Sequence, residues 1–382
     1  MTQRSLAEWL VYLEQLHPTA IDLGLDRVRD VARHLDLRKP APRVVTVTGT
    51  NGKGSTCAFL AQLLRAQGLR VGVYSSPHLL HYNERVRIDD GEASDAELCE
   101  AFAVVEHARG EISLTYFEMG TLAAFWLFQQ ANLDAVVLEV GLGGRLDAVN
   151  LFDADVAVVT SIGLDHAEWL GDTRDSVAFE KSGIFRQGSP VVCGDTNPPA
   201  VLRIRAAELD APFFLRGKDF DFTPGEHSWD WQGVDLGGCE LRLEKLPLLD
   251  LPVENAAVAL QAYSLLGLDW HPERLSAALM RTSLRGRLDR WQLEYQGKCL
   301  ALLLDVGHNP HAAGFLAERF SSGLPVNRRL AVFGLLGDKD LQGVLDAVHP
   351  FISHWAVAPL PSARSRSAQE LQQALSRLGA VV

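Results

Sequence analysis

Cysteine is scarce. The chain has five in 382 residues, none spaced C-x-x-C, and an odd number cannot all pair. This argues against a disulfide-stapled secreted scaffold and against a zinc ribbon. It fits free thiols in a reducing compartment, the cytoplasm. Long hydrophobic runs are missing too. No stretch reaches 18 apolar residues, and the segment from Met1 to Trp9 carries an early acid and no apolar run. Neither a membrane span nor a signal peptide is expected. Positive charge is in deficit: 36 Lys and Arg stand against 48 Asp and Glu, a formal net charge of -12. A chain of this sign is not expected to bind nucleic acid or an anionic membrane. Any anionic ligand must be drawn in by local positive groups. Internal repeats and low-complexity tracts are absent.

What is present suits a globular α/β protein. Apolar residues make up 47% and charged residues 22%, enough to bury a real core. At roughly 100–200 residues per domain, the length suggests two or three domains. Short continuous apolar runs read as buried parallel strands over 44–48, 71–74, 135–140, 156–160 and 190–193. Helical patterns lie between them over 55–67, 96–108 and 120–130. That alternation predicts a parallel sheet covered on both faces. The segment 213–246, rich in Trp, Gly and Asp, breaks the pattern and reads as a small antiparallel element, followed by a helix over 255–266. Arg285-Gly286-Arg287 reads as a linker, 285–290, between a domain over 1–284 and a second α/β unit over 291–382. In the second unit, strands are expected over 291–295, 301–305, 330–334 and 354–358.

The sharpest local signal is Val44-Val45-Thr46-Val47-Thr48 running into Gly49-Thr50-Asn51-Gly52-Lys53-Gly54-Ser55-Thr56 ahead of a helical pattern. A strand, a Gly-rich turn and a helix N-terminus form an anion site. Converging backbone N–H groups and the helix dipole favour phosphate. Lys53 can reach β and γ oxygens, and Ser55 or Thr56 can offer a hydroxyl to Mg²⁺. The match to the general phosphate-loop pattern is imperfect. Thr48 stands where a glycine is expected, and Gly54 intervenes between Lys53 and Ser55. The plainer reading is a Gly-rich turn without a ligand.

Other residues are ambiguous by themselves. Glu139 ends an apolar run, where a carboxylate points into the crevice that parallel sheets use for ligands, but it could equally pair with Arg145. His166 reads as a solvated or structural histidine, and Ser76 as a loop serine. Glu180-Lys181 reads as a charged pair on a solvated helix face. Tyr116 and Phe117 read as core aromatics at a helix entry.

Further segments agree with the Gly49–Ser55 loop in one respect. They are Ser75-Ser76-Pro77-His78-Leu79, Asn83-Glu84-Arg85-Val86, Leu114-Thr115-Tyr116-Phe117-Glu118, Glu139-Val140-Gly141-Leu142-Gly143-Gly144-Arg145-Leu146-Asp147-Ala148, Thr160-Ser161-Ile162-Gly163-Leu164-Asp165-His166, Glu180-Lys181-Ser182-Gly183-Ile184-Phe185 and Asp305-Val306-Gly307-His308-Asn309-Pro310-His311. In order and over essentially the whole chain, the sequence resembles the bifunctional dihydrofolate synthase/folylpolyglutamate synthases, relatives of the Mur ligases.

The resemblance implies a P-loop parallel-sheet ATPase domain followed by a smaller Rossmann-like α/β domain. It implies an ATP-dependent ligase that adds L-glutamate to dihydropteroate and to reduced folates through an acyl phosphate. ATP is then a co-substrate and Mg²⁺ occupies two sites, with Ser76 and Glu139 on the first and His166 on the second. Lys181 is expected to be carbamylated by CO₂. Nucleotide contacts fall on Thr50, Asn51, Gly52, Lys53, Gly54 and Ser55, on Asn255 for adenine, Arg287 for phosphate, Asp305 for ribose, and on His308. The catalytic groups implied are Lys53, Lys181, His166 and Arg287. Pterin contacts fall on Ile21, Asp22, Leu23, Thr115, Tyr116, Phe117, Glu118, Leu146, Asp147 and Ala148. Phe117 would be the aromatic wall and Asp22 or Glu118 the fixed polar group. A monomer is expected. The chain ends at Val382, ahead of a further helix and a Gly-Ser strand usual in such proteins, so the second sheet is expected to lack an edge strand. Two rivals stand beside this reading. One is a Mur-type ligase acting on a cell-wall nucleotide precursor. The other is a non-ligase P-loop NTPase, which would want Asn-Lys-x-Asp, whereas the sequence offers only Gly337-Asp338-Lys339-Asp340.

Overall fold

The computed structural model describes residues 4–322, 328–362 and 364–382. The chain divides into two compact units, Met1–Leu284 and Arg285–Val382.

The first unit is built on an eight-stranded sheet. Its strands are β1 (Arg43–Thr48), β2 (Val71–Tyr74), β3 (Val86–Ile88), β4 (Gly91–Glu92), β5 (Ala135–Glu139), β6 (Val156–Val159), β7 (Val191–Cys193) and β8 (Phe213–Leu215), in the order β4-β3-β2-β5-β1-β6-β7-β8. Strands β2, β5, β1, β6, β7 and β8 run parallel. Two departures from the sequence pattern occur at the sheet edges. The edge β3–β4 is antiparallel, formed by strands too short and mixed in polarity to stand out. Phe213–Leu215, expected in the antiparallel element, instead joins the main sheet alongside β7. The antiparallel element itself is the three-stranded sheet β9 (Asp221–Pro224), β10 (Ser228–Val234) and β11 (Glu240–Pro247).

The central strands read as unbroken apolar runs because both faces are buried. In β1, Val44 packs into one core while Val45 and Val47 pack into the other. The first core also holds side chains of the helices α1 (Leu6–Gln15), α2 (Asp26–His34), α4 (Asp95–Arg109), α5 (Tyr116–Ala131) and α7 (Arg174–Ser182). The second is filled from α3 (Lys53–Arg65), α9 (Val253–Ser264) and α10 (Pro272–Arg281), while α6 (Ala167–Leu170) and α8 (Ala200–Glu208) complete the unit. Helix starts follow capping chemistry: Ser5 with Glu8, Ser94 with Glu97 and Thr115 with Glu118 each form a capping box.

The second unit holds an antiparallel hairpin, β12 (Asp289–Tyr295) with β13 (Lys298–Leu304), and a parallel pair, β14 (Leu330–Phe333) with β15 (His354–Val357). Among the described residues these two pairs are not joined into one sheet. Its helices are α11 (Pro310–Ser322), α12 (Leu341–Val348) and α13 (Ala368–Arg377).

Candidate active site

The first unit carries a narrow cleft just past the C-terminal ends of β1, β5 and β6. It is lined by Gly49, Thr50, Lys53, Gly141, Asp165, His166 and Lys181, among others. Parallel sheets bind ligands at this edge because neighbouring crossovers diverge there and leave a crevice.

The phosphate loop is held from the side. Ser161 Oγ accepts from Asn51 N at 3.0 Å, and Thr160 Oγ donates to Asn51 O at 2.6 Å. Thr50 Oγ1 accepts from Gly163 N at 2.9 Å and donates to Gly163 O at 3.0 Å. These clasps lie more than a hundred residues apart in sequence, so no local spacing announces them. Gly52 turns the chain into α3 in the left-handed region, at φ 86°. A Cβ there would sit 2.4 Å from Asn255 Oδ1, so Asn255 lies directly against the loop. Helix α3 then starts at Lys53, which places Gly54, Ser55 and Thr56 in its first turn.

Two amines meet on one carbonyl. Lys53 Nζ donates to Gly49 O at 3.0 Å, and Lys181 Nζ donates to the same oxygen at 2.9 Å. Lys181 is only 4% exposed, so it is no member of a solvated pair. Glu180 is instead spent on Arg145, Oε1 to Nη2 at 2.9 Å. Burial, reinforced by the Lys53 charge, lowers the Lys181 pKa to about 7.

Arg145, engaged with Glu180, is not the partner of Glu139. Glu139 is buried, its Oε2 accepts from Ser76 N at 3.2 Å, and its carboxylate lies against Gly54 at the head of α3. Thr56 Oγ1, in the same turn, is buried with no hydrogen-bond partner. Among the described residues no three His, Cys, Asp or Glu side chains cluster. A cation here would therefore take a mixed shell of hard oxygens: a carboxylate, hydroxyls and the phosphates of a nucleotide. That donor chemistry suits Mg²⁺ or Mn²⁺. His166 stands in the left-handed region at φ 52° and lines the same cleft.

Beside it, Phe117, Gly141 and Asp147 come together. A Cβ on Gly141 would lie 2.7 Å from the Phe117 ring and 3.2 Å from Asp147 Oδ2. Asp147 accepts from Leu142 N at 2.8 Å and Val149 N at 3.0 Å, yet burial raises its pKa to about 6. Leu146 and Ala148 flank it in the chain. Thr115 caps α5, with Tyr116 and Phe117 in its first turn. Glu118 is fixed by partners on both oxygens. Its Oε2 takes Thr115 N at 2.8 Å and its Oε1 takes Arg27 at 2.9 Å. Arg27 also binds Asp22 at 2.7 Å. Arg27 thus ties the loop of Ile21, Asp22 and Leu23 to α5.

In the second unit, Asp305 accepts from Leu288 N at 2.9 Å and from Gly307 N at 2.7 Å, which fastens the linker beside Arg287. His308 Nδ1 lies 3.0 Å from Val306 O.

Residues 47–208 match the Mur ligase middle domain and residues 286–382 the Mur ligase glutamate ligase domain. The chain is 47% identical over 371 residues to the dihydrofolate synthase/folylpolyglutamate synthase of Escherichia coli (strain K12), covering 97% of this chain and 85% of the relative. The chain belongs to the dihydrofolate synthase/folylpolyglutamate synthase family. A structure of E. coli FolC in complex with DHPP and ADP superimposes with a TM-score of 0.91 at 46% identity, covering 99% of this chain and 88% of that one. Another, of a bifunctional folylpolyglutamate synthase/dihydrofolate synthase with Mn, AMPPNP and L-glutamate bound, has a TM-score of 0.88 at 47% identity, covering 97% and 88%. As a member of this family, the chain is an ATP-dependent ligase that joins L-glutamate to folate-type acids. It takes ATP and a divalent metal.

Proposed function

We propose that this chain adds L-glutamate both to dihydropteroate, giving dihydrofolate, and to the glutamate tail of reduced folates. The observation that carries this reading is the convergence of Lys53 and Lys181 on the Gly49 carbonyl beside buried Glu139. A carboxylate is a poor electrophile with a poor leaving group. It is activated when its oxygen attacks the γ-phosphorus of ATP and the bond to ADP breaks. The amine of L-glutamate then attacks the acyl carbon, loses a proton and expels phosphate.

Lys53 and the loop amides of Gly52, Lys53, Gly54 and Ser55 hold the phosphate tail and stabilise charge on the transferring group. Two Mg²⁺, one on Ser76 and Glu139 and one on His166, would neutralise the γ-phosphate charge when bound. Lys181 is assigned as the carbamate. Its lowered pKa leaves a neutral amine near pH 7, which CO₂ needs in order to add. Phe117 offers an aromatic wall to the pterin and Asp147 a carboxylate, and Ile21, Asp22, Leu23, Thr115, Tyr116, Glu118, Leu146 and Ala148 are assigned to the same acceptor on the resemblance. Asn255, packed on Gly52, is assigned to adenine. Arg287, Asp305 and His308 of the second unit are assigned nucleotide contacts on the resemblance alone. We further assign the chain to the cytoplasm, as a monomer.

The test is phosphate release and product mass with ATP, L-glutamate and each acceptor. Release that depends on dihydropteroate, and separately on tetrahydrofolate, supports the assignment. Dependence on a muramyl precursor, or ATP turnover that needs no acceptor, overturns it.

A further inference from the structure

We propose that Arg174 and Asp195 act together as positioning residues for the phosphate loop, and that their ion pair sets nucleotide affinity through the segment that clasps that loop. This rests on the placement of the nucleotide phosphates at Gly49–Ser55 proposed above.

Arg174 is the first residue of α7. A cation there opposes the helix dipole, so the position is unfavourable for α7 unless the charge is answered. The answer comes from the end of β7. Gly194 N donates to Val159 O at 2.8 Å, which carries the β6–β7 pairing past Cys193 and brings Asp195 alongside Ile162. Asp195 Oδ1 accepts from Asn197 N at 2.9 Å, which fixes the carboxylate. Its Oδ2 accepts from Ile162 N at 3.0 Å and from Arg174 Nη2 at 2.8 Å. Arg174 Nε donates to Ile162 O at 3.1 Å, and Nη2 also donates to Asn197 O at 3.1 Å. Both backbone groups of Ile162, a residue only 5% exposed, are therefore held by one ion pair.

The neighbours of Ile162 hold the phosphate loop. Thr50 N donates to Ser161 O at 2.9 Å, Asn51 N to Ser161 Oγ at 3.0 Å, and Gly163 N to Thr50 Oγ1 at 2.9 Å. Thr50 and Asn51 take their place from 160–163, and 160–163 takes its place from Arg174 and Asp195. The same loop continues to His166, and α7 continues to Lys181.

Magnitudes separate a positioning role from a stabilising one. The Arg174 side chain is 40% exposed, so solvent screens the pair and little fold stability is expected from it. A phosphate loop is far more sensitive. Its amides must converge on one anion, and a small misplacement costs a large factor in binding and rate. Breaking the pair should thus be felt at the nucleotide before it is felt by the fold.

The experiment measures binding of AMPPNP with Mn²⁺ by calorimetry, with neither acceptor nor glutamate present. It compares the unaltered enzyme with R174Q, R174K, D195N and the double variant R174Q/D195N. In R174Q, Kd for AMPPNP should rise about tenfold or more, the loss of charge-assisted hydrogen bonds. KM for L-glutamate and for dihydropteroate should stay within about twofold, and Tm should fall by no more than a few degrees. R174K, which can meet Asp195 or Ile162 O but lacks the fork that meets both, should fall between. The double variant should bind no more weakly than the weaker single variant, because both substitutions break one unit. A lowered Tm with an unchanged Kd assigns the pair to stability alone and overturns the proposal. So do single effects on Kd that add in full, and so do equal rises for nucleotide, glutamate and acceptor. K53A separates the underlying reading. Affinity lost in K53A but kept in R174Q overturns the positioning role alone, whereas affinity unchanged in K53A overturns the phosphate placement with it.

Discussion

Lys181 is a residue whose charge state depends on its surroundings. Its amine is buried and shares the Gly49 carbonyl with Lys53, and its pKa falls from 10.5 to about 7. Above that pH the amine is neutral and CO₂ can add; below it the proton blocks addition. Intact mass under mild conditions should therefore show a CO₂ adduct at pH 8 that fades toward pH 6. Lys181→Ala should lose about a hundredfold or more in turnover and regain part of it with short carboxylates. Full activity of Lys181→Ala without them would count against the carbamate. Asp147 runs the opposite way. Burial raises its pKa from 3.8 to about 6, so the folded chain holds this proton more tightly than the unfolded chain does. Its contribution to stability is greatest below pH 4, declines as pH rises through 4 to 6, and is a net cost above that window. Denaturant unfolding across this range should show that decline, and D147N should flatten it. An unchanged slope in D147N would remove Asp147 as its source.

At the scale of elements, the phosphate loop is set by one turn and its neighbours. Gly52 takes a left-handed φ, and Asn255 of α9 fills the space a Cβ would need. Gly52→Ala should displace either the loop or α9. It should raise KM for ATP about tenfold or more and cost about 1–3 kcal/mol in stability from strain alone. Nucleotide titration and thermal unfolding would check both, and an unchanged ATP affinity would show the loop to be more pliant than this geometry allows. Helix α5 illustrates a different kind of control. Its Thr115–Glu118 capping box also places Glu118 on Arg27, so the start of one helix fixes the loop leading into α2. Glu118 thus holds Thr115 and Arg27, one on each oxygen.

At the scale of the whole molecule, Met1–Leu284 and Arg285–Val382 each gather their own core. The first unit has two cores on either side of a continuous sheet. A fragment ending at Leu284 should therefore fold alone and unfold cooperatively by circular dichroism, while showing no ligase turnover. A fragment that stays unfolded would mean the first unit needs the second for its stability. Much of this architecture was legible in the chain. Apolar runs such as Val44–Val47 read as strands buried on both faces, and the Gly-Lys turn after them reads as a phosphate site. The family segments marked Glu139, His166 and Lys181 by their neighbours in sequence. Other features were hidden because they depend on pairings across long separations. Thr160 and Ser161 clasp Asn51, Arg27 joins Asp22 to Glu118, and Phe213–Leu215 leaves the antiparallel element for the main sheet. Sequence by itself determined which chemistry-bearing side chains exist and where strands feed them to a sheet edge. Only the tertiary structure decided which charges meet a partner, because burial and hydrogen bonding are set by whatever the fold brings alongside: Glu118 meets Arg27, Arg145 is taken by Glu180, and Lys181 is driven toward neutrality.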